Sequence, residues 1–454
     1  MLFKPVEGTF RKDITIQVTG DCNMACTYCY QEHKNTQTVD IEKAKKFIKA
    51  MVTNDQRMFN GYFDFGAKDI SICLQFIGGE PLVNYKAVIE LCDYYAELCK
   101  QYNPALFKRS IFGICTNGTI WNKDIEHLLK RYRNKFSVGV SIDGNKKLHD
   151  TCRLFKGSGE PTYDIVVKNL ENFRKVLPFE MVNTKFTVSH ENLPYLSEAL
   201  IGMYEDLKFT KIPCNCVFED VWSKEDAKLL YKELKKVADY LLHNNIKVDS
   251  MNLSTIEHQN VEIGMFNELH FREEVDYDGV WCGGNGRMLF MQYDGKFYCC
   301  NRYSEISVGD KDKDLYIGTV DDGINRQDVV NKLRCVSRKT MYNDECKKCP
   351  IARGCADCLA FCYKEHGDFK KTTYLCDMHK ARSLANVYFW NKYYLYNCIP
   401  KIHIMYLPRE EALKYVSIKE YDELLALSNN RYEYISKCKD IFKRFEEYFK
   451  EEKL

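Results

Sequence analysis

Residues 13–29 of this chain read DITIQVTGDCNMACTYC. The first part alternates β-branched and polar residues, which is the pattern of a β-strand. The second part places three cysteines, Cys22, Cys26 and Cys29, directly after that strand. Thiolates are the usual ligands of iron–sulfur clusters, and a four-iron cluster held by three of them keeps one iron open to a further ligand. The alternative is a three-cysteine zinc site that His33 completes.

The composition is that of a large globular protein with balanced charge. The 454 residues suggest two or three domains, and a hydrophobic content of 45% suffices for a packed core. A net charge of +2, from 66 basic and 64 acidic residues, gives no support for a nucleic-acid partner. No segment reads as a signal peptide or a membrane span. Because many of the 22 cysteines stand at metal-ligand spacings, we predict a cytoplasmic protein without a membrane partner.

Strand-like and helix-like segments alternate from residue 13 to about residue 245. Six strand–helix repeats predict an α/β fold, a parallel sheet curled into a partial (β/α)6 barrel. Active sites of such sheets gather at the carboxyl ends of the strands, where the first three cysteines stand. The candidate strands are 13–19, 70–76, 110–116, 136–142, 182–188 and 210–216, the last interrupted by Pro213. The candidate helices are 41–52, 85–102, 125–132, 164–176 and 224–243.

The remainder of the chain has a different character. Residues 1–245 are predicted as the barrel domain, 246–274 as a linker and 275–380 as a turn-rich domain dense in cysteine. Residues 381–454 are predicted as a helical C-terminal tail. Apolar residues recur there at three- and four-residue steps, which predicts a packing face rather than a membrane helix. They are Ile435, Cys438, Phe442, Phe445 and Phe449.

Glycine-rich and polar turns follow the second, third and fourth predicted strands. Paired glycines let a ligand approach the backbone closely, and an arginine fork matches a carboxylate. The alternative is that these segments are ordinary turns and that the arginine forms a surface ion pair, because both use the same residue types. The segments are Gly78-Gly79-Glu80-Pro81, Thr116-Asn117-Gly118, Ser141-Ile142-Asp143-Gly144 and His149-Asp150-Thr151-Cys152-Arg153.

The spacing C-x3-C-x2-C, with Tyr28 before the last cysteine, resembles that of the radical S-adenosylmethionine (SAM) superfamily, and the turns resemble its motifs. The resemblance implies a [4Fe–4S] cluster whose open iron binds SAM. With an electron from a donor such as flavodoxin or ferredoxin, SAM would yield a 5′-deoxyadenosyl radical that abstracts hydrogen from a substrate. The implied SAM-binding residues are Tyr28, Gly78, Gly79, Glu80, Pro81, Asn117, Ser141, Asp143 and Arg153.

The roles that the resemblance implies differ among these residues. The Gly-Gly-Glu-Pro motif at 78–81 would contact the SAM amino group, and the turn that contains Asn117 would lie beside it. Ser141 and Asp143 would reach the ribose. Arg153 would meet the SAM carboxylate.

The region 275–380 resembles the SPASM domain, which binds two auxiliary [4Fe–4S] clusters. Its signature is a C…G-x4-C run, a C-x2-C-x5-C-x3-C run and a last cysteine. By this resemblance, Cys282 and Cys300 hold one auxiliary cluster together with a later cysteine. The ligands of the other are Cys346, Cys349, Cys355 and Cys376.

Two departures from the signature leave ligands open. Cys358 and Cys362 flank the expected cysteine position at Leu359, and Cys358 is the favoured ligand with Cys362 as the alternative. The cysteine expected before the first run has no counterpart. An open iron, a ligand from Asp276 or Asp278, or Cys299 would account for it.

Two simpler interpretations concern the cysteines themselves. Paired C-x2-C units are also zinc-ribbon spacings, so a structural zinc domain is the alternative for region 275–380. The cysteines outside the patterns are predicted as small buried apolar side chains. They are Cys73, Cys92, Cys99, Cys115, Cys152, Cys214, Cys216, Cys398 and Cys438.

Enzymes with a SPASM domain mostly modify peptides or proteins, so the resemblance implies a peptide substrate. In the sulfatase-maturating branch, an Asp after the G-x4-C cysteine is the expected base; here that position is Asn301, whose amide cannot accept the proton. We therefore predict a maturase that installs crosslinks, foremost cysteine thioethers, in a ribosomally made precursor peptide. An open auxiliary iron would suit the substrate thiolate. The alternatives are a formylglycine-generating sulfatase-maturating enzyme and a non-enzymatic metal-binding or electron-transfer protein.

Overall fold

The computed structural model describes residues 10–248, 261–266, 279–280, 282–397, 399 and 401–429. The chain divides into two compact units. Unit 1 contains residues 1–185, 278–342 and 357–372, and unit 2 contains residues 186–277, 343–356 and 373–454. The predicted cysteine-rich region 275–380 is therefore divided between the units, and its predicted domain boundaries remain a prediction.

The elements follow one another in the alternation that the sequence predicts. The strands are β1 Phe10–Thr19, β2 Ile70–Gly78, β3 Ile111–Thr116, β4 Phe136–Ser141, β5 Val182–Val188, β6 Lys211–Ile212, β7 Cys214–Cys216, β8 Glu262–Ile263, β9 Leu289–Met291, β10 Lys296–Tyr298 and β11 Gly318–Thr319. The helices are α1 Ile41–Val52, α2 Gln56–Phe59, α3 Tyr85–Tyr102, α4 Pro104–Arg109, α5 Lys123–Arg131, α6 Lys146–Cys152, α7 Tyr163–Val176, α8 Leu196–Glu205, α9 Lys224–His243, α10 Glu305–Val308, α11 Gln327–Arg334, α12 Arg338–Met341, α13 Asp344–Lys348, α14 Leu359–His366, α15 Cys376–Tyr396, α16 Arg409–Ala412 and α17 Ile418–Asn429.

Unit 1 is built on a parallel sheet in the order β1-β2-β3-β4-β5. The register places Ile14 beside Leu74 and Ile114 beside Val138, all of them buried. Helices separate consecutive strands, as parallel pairing requires. The predicted α/β fold with a parallel sheet is confirmed.

Side-chain caps explain where two of the helices begin. The Asp40 side chain accepts a hydrogen bond from the Lys43 N–H at the start of α1, and the Asn122 side chain accepts one from the Ile125 N–H at the start of α5. These acceptors satisfy N–H groups that have no partner within the helix. Helix α1 then buries Phe47 and Ile48 completely. The predicted helices at 41–52 and 85–102 have the observed bounds.

Three short strands extend the same sheet beyond β1. Strand β9 pairs in parallel with β1, and β10 pairs antiparallel with both β9 and β11. These strands come from the region that the sequence describes only as turn-rich. Segment 278–342 thus completes the barrel sheet, and Cys300 follows β10 after one residue.

Unit 2 contains the end of β5, which pairs in parallel with β7, and a second small sheet of β6 and β8. Pro213 separates β6 from β7, as the predicted interruption of strand 210–216 requires. Helix α9 begins with a capping box between Ser223 and Asp226 and packs against α15. Nearly every side chain of α15 is buried, including Phe389 and Trp390.

Part of the predicted helical tail is described. Helices α16 and α17 lie in it, and α15 enters it from Cys376, within the predicted cysteine-rich region. The apolar stripe from Ile435 to Phe449 lies outside the described residues, as does Cys398. None of the helices in the described segments has both the length and the apolar character that a membrane crossing demands.

Candidate cofactor and metal sites

The loop after β1 carries the cysteine triad, defined as Cys22, Cys26 and Cys29. Its backbone is bonded to the segment that follows α6: the Ala25 N–H donates to the Leu154 carbonyl and the Thr27 N–H to the Cys152 carbonyl, both over 3.0 Å. This pairing brings the triad beside Arg153, which lies between the two acceptors. Two sequence-predicted features, the triad and the arginine, are therefore adjacent.

The thiols of the triad are coupled electrostatically to one another and to Lys34. Burial raises the pKa of Cys22 to about 11 and also raises that of Cys26, with each neighbouring thiol adding to the effect. Burial lowers the pKa of Lys34, but the three thiols raise it above its usual value. A cluster on the triad would satisfy this arrangement because metal ligation requires thiolates, and Lys34 supplies a nearby positive charge.

His33 contacts the segment around Ile306 and Gly309. Its backbone N–H donates to the Ile306 carbonyl over 3.1 Å, and a Cβ on Gly309 would stand 2.9 Å from its Nε2. The imidazole is thus packed on Gly309, which gives no support for the zinc alternative. In the part of the chain that the structure describes, no group of three His, Cys, Asp or Glu side chains is placed to hold a metal ion.

The motif at 78–81 is pressed against the cysteine loop. A Cβ on Gly79 would lie 2.3 Å from the Asp21 carbonyl oxygen and 2.8 Å from the Cys22 Cβ, so no other residue fits without a shift. The Glu80 N–H donates to the same Asp21 carbonyl over 2.8 Å. The paired glycines therefore permit close backbone approach, although here the approaching group is the cysteine loop itself.

The Glu80 carboxylate is buried and holds two motifs together. Its Oε1 accepts from the Thr116 hydroxyl over 2.7 Å and from the Leu82 N–H over 3.0 Å, and its Oε2 accepts from the Asn117 N–H over 2.6 Å. Burial raises the pKa of Glu80 to about 7. Pro81 begins the short 3-10 helix that Glu80 caps. The carboxylate is thus directed at protein groups, and the backbone of the motif contacts the cysteine loop.

Asn117 is directed at the cysteine loop. Its Nδ2 donates to the Asn23 Oδ1 over 2.8 Å and lies 4.0 Å from the Cys22 thiol. Asn23 in turn donates to the Thr119 hydroxyl over 2.8 Å. Asn117 was predicted from its motif, whereas Asn23 and Thr119 carry no motif signal of their own and were not predicted.

Asp143 is fully buried in a polar network. Arg153 Nε donates to its Oδ2 over 2.8 Å, and the Tyr28 hydroxyl donates to the same oxygen. The Asp143 N–H donates to Nδ1 of His149 over 3.3 Å, and burial lowers the pKa of His149 to about 3. His149 is therefore neutral, and its Nε2–H donates to the Thr162 hydroxyl over 3.0 Å. The Asp143 carboxylate orients Arg153 and Tyr28.

The accessible face of the sheet carries Ser141 and a thiol. Ser141 is half-buried at the end of β4, whereas Val140 beside it is fully buried. A Cβ on Gly139, on the same face as Ser141, would lie 3.3 Å from the Cys115 thiol. Cys115 is exposed, so its prediction as a buried apolar side chain was wrong. The missing Gly139 side chain leaves that thiol uncovered.

The first cysteine set, defined as Cys282, Cys300 and Cys358, lies in unit 1. Burial raises the pKa of Cys300 to about 12, and the thiols of Cys282 and Cys358 add to that effect. The Cys282 sulfur accepts hydrogen bonds from the backbone of Gly284. The Tyr303 side chain is fully buried and its hydroxyl has no hydrogen-bond partner; burial raises its pKa, and the thiols of Cys300, Cys282, Cys299 and Cys358 add to the effect. An unpaired buried donor near these coupled thiols fits an iron–sulfur cluster, whose sulfurs accept hydrogen bonds.

Other candidate ligands lie in other contacts. The Cys299 thiol accepts from the Tyr62 hydroxyl over 3.2 Å. Burial raises the pKa of Cys362 to about 12, and the carboxylate of Asp357 adds to the effect. Asp276 and Asp278 lie outside the described residues. The Cys358 thiol also acts electrostatically on Cys362, so the preference for Cys358 over Cys362 remains a prediction.

The second cysteine set, defined as Cys346, Cys349, Cys355 and Cys376, lies in unit 2. The Cys349 N–H donates to the Cys346 carbonyl over 3.2 Å, which closes a tight turn between them. Helix α15 begins at Cys376, and Lys380 and Arg382 on it act electrostatically on Cys349 and Cys355. Each cysteine set therefore falls within a single unit. The remaining cysteines in the described segments are buried, apart from Cys115 and Cys335.

Comparisons with known proteins identify a family for the first part of the chain and relatives for most of its length. Residues 16–193 match the model of the Radical SAM superfamily. The chain is 22% identical to the radical SAM cyclopropyl synthase TigE of Paramaledivibacter caminithermalis over 388 residues, 81% of this chain and 72% of TigE. It is 26% identical to a cysteine-type anaerobic sulfatase-maturating enzyme of Clostridium perfringens over 375 residues, 79% of this chain and 91% of that enzyme.

Two further comparisons define the extent of the likeness. The uncharacterized protein MJ0907 of Methanocaldococcus jannaschii is 30% identical over 188 residues, 41% of this chain, and the match spans only 56% of MJ0907. The solved structure of native anSMEcpe with bound AdoMet and Cp18Cys peptide superposes with a TM-score of 0.57 at 18% identity. It covers 92% of this chain and 99% of that one, a likeness of fold.

Proposed function

Residues 16–193 form a radical SAM domain, and from this premise we propose that the protein is a maturase that joins a cysteine sulfur to carbon within a precursor peptide. Members of this superfamily that modify peptides or proteins are enzymes, and the family uses SAM and a [4Fe–4S] cluster. The type of bond that is formed and the peptide substrate are both part of the proposal. A low-potential donor, flavodoxin or ferredoxin, would supply the electron.

The triad would hold the cluster that binds SAM. When bound, the cluster and SAM supply a 5′-deoxyadenosyl radical that removes a hydrogen atom from the substrate. Arg153 uses Nε and Nη2 on Asp143, and its Nη1 lies 3.9 Å from the Cys26 thiol. That nitrogen is aimed at the triad and is suited to the SAM carboxylate. Tyr28 would help to orient this fork.

The other proposed SAM contacts follow from their placement. The backbone of Gly78, Gly79 and Pro81, fixed by the Glu80 carboxylate, would meet the amino group. Asn117, already directed at the cysteine loop, would lie beside it. Ser141 is placed on the accessible face and would reach the ribose, whereas Asp143 would act through Arg153.

Asn301 is the observation that carries the choice of reaction. It follows Cys300 of the first cysteine set, and its Nδ2 donates to the Tyr30 hydroxyl over 2.9 Å. Tyr30 follows Cys29 of the triad. An aspartate at this position could take up a proton during formylglycine formation, but an amide cannot. Formylglycine formation requires a base at this position, and the Asn301 side chain cannot act as one.

The first cysteine set supports a substrate thiolate. Among the residues that the structure describes, three cysteines gather there, and three ligands leave a position open on a four-iron cluster. A substrate cysteine is a fitting fourth ligand because iron at such sites binds thiolates. We therefore assign one auxiliary cluster to this set and one to the second cysteine set.

Formylglycine generation is the competing function, because the match spans 91% of the C. perfringens sulfatase-maturating enzyme. The test incubates reconstituted protein with SAM, reductant and two kinds of cysteine-containing peptide, one from open reading frames beside the gene and one from a sulfatase. A thioether removes two hydrogen atoms from the peptide and keeps its sulfur. Formylglycine replaces the cysteine sulfur by an aldehyde oxygen, and that mass change would refute the proposal.

A further inference from the structure

Arg302 contacts both the first cysteine set and the residue that follows the triad. Its Nη1 lies 3.2 Å from the Cys358 thiol, within hydrogen-bond distance for sulfur. Its guanidinium carbon lies 4.1 Å from the centroid of the Tyr30 ring, which is a cation–π contact. One planar side chain thus touches a proposed cluster ligand and an aromatic ring next to Cys29.

Tyr30 is held from two directions. Arg302 covers its ring, and the Asn301 side chain donates to its hydroxyl. Burial raises the pKa of Tyr30, and the thiols of Cys29 and Cys300 add to the effect although Arg302 opposes it. The ring therefore lies between the triad and the first cysteine set, and both holding side chains belong to the run directly after Cys300.

Tyr303 adds a neutral donor on the same cysteine set. Its buried hydroxyl has no hydrogen-bond partner in the structure, and a Cβ on Gly284 would lie 3.5 Å from that hydroxyl and 3.4 Å from the Cys282 sulfur. A charged donor at Cys358 and a neutral donor nearby are the usual means by which a protein sets the reduction potential of a metal site. A fixed positive charge stabilises the form that has gained an electron, more strongly where water is excluded.

We propose that Arg302 is a positioning residue that raises the reduction potential of the cluster on the first cysteine set and fixes Tyr30 against it. Tyr303 supplies a second, weaker contribution by donating to that cluster. The proposal rests on the auxiliary cluster assigned above, and it concerns residues outside the resemblance motifs. Lysine cannot replace Arg302, because a single ammonium cannot both donate to Cys358 and cover the Tyr30 ring.

The test is a redox titration of reconstituted protein followed by electron paramagnetic resonance, on Arg302→Met, Arg302→Gln and Tyr303→Phe. In Arg302→Met, one of the cluster signals should move to a lower midpoint potential while the others stay in place. Tyr303→Phe should move the same signal by less. The matched control is Arg326→Met, because Arg326 lies 4.3 Å over the Tyr316 ring and donates to the Lys313 carbonyl. This control should change none of the signals.

Unchanged potentials in Arg302→Met overturn the proposal. If that variant loses the cluster, the titration is made on Arg302→Gln, which keeps an N–H donor but removes the charge, and a wild-type potential there would refute the proposal equally. A triple Cys282/Cys300/Cys358→Ala variant distinguishes a failure of the cluster assignment from a failure of the role proposed for Arg302. If it keeps the wild-type iron content, the assigned cluster itself is wrong; if it loses iron but Arg302 variants behave as wild type, only the role of Arg302 fails.

Discussion

The guanidinium of Arg153 donates through Nε to the Asp143 carboxylate over 2.8 Å, with the two side chains 8% and 0% exposed. The resemblance implies that Asp143 contacts the SAM ribose, but its carboxylate is directed at Arg153 and Tyr28. A buried pair of this kind leaves an uncompensated charge when one partner is removed. Asp143 therefore compensates the buried charge of Arg153 and fixes the orientation of its guanidinium, whereas its contact with the ribose remains a prediction.

Asp143→Asn should lower the free energy of unfolding by about 3–5 kcal/mol and weaken SAM binding, because Arg153 would stay buried without its counter-charge. Urea denaturation and equilibrium dialysis with SAM measure the two effects. The control is Asp321→Asn, which removes an ion pair to Lys46 with side chains 56% and 53% exposed. That change should cost no more than about 1 kcal/mol. Equal effects of the two substitutions would contradict the assigned role.

Gly79→Ala should destabilise the cysteine loop, because the added Cβ would lie 2.3 Å from the Asp21 carbonyl oxygen. We expect reduced iron incorporation on reconstitution and a lower unfolding temperature, measured by iron assay and calorimetry. The control is Gly202→Ala in α8, whose added Cβ meets only the Asp206 side chain at 3.3 Å. Alanine should stabilise that helix by up to about 1 kcal/mol. Normal iron content in Gly79→Ala would show that the loop can move aside.

The sequence was sufficient for the elements whose pattern is local. Alternation predicts β1, and Asp40 and Ser223 mark the starts of helices that have the predicted type. Strand β9 could not be predicted, because three residues acquire strand geometry only by pairing with β1. Motif residues were likewise found by their order along the chain, but the orientation of the Glu80 carboxylate depends on donors 36 and 37 residues away.

Glu80 should make stability fall as the pH rises from about 4.5 to about 7. Burial raises its pKa from 4.5 to about 7, so the folded state binds the proton more tightly than the unfolded state. The stabilisation from Glu80 is fully present at pH values below its pKa in the unfolded state. It is lost, by about 3 kcal/mol, as the pH rises through its pKa in the folded state. Glu80→Gln removes the titration, so the difference between wild type and variant measures it. A constant difference across this range would contradict the shift.

His149 should make stability fall as the pH falls, the opposite dependence to that of Glu80. Burial lowers its pKa from 6.5 to about 3, so the folded state holds it neutral and stability is lost as the pH falls below 6.5. His149→Gln should flatten this part of the profile relative to wild type, as followed by denaturation at several pH values. His127 supplies the comparison, because it lies on α5 outside this network. If His127→Gln flattened the profile equally, burial of His149 would not be the cause.

The iron content per chain should report the three proposed clusters separately. Anaerobic reconstitution should give about 12 iron per chain, and a Cys22/Cys26/Cys29→Ala variant about 8. A triple substitution within either cysteine set should also lose about 4, because each set lies in one unit and the other clusters keep their ligands. Zinc bound in place of iron at the two sets would reduce them to structural sites. The proposed thioether chemistry would then lack the open iron that it needs.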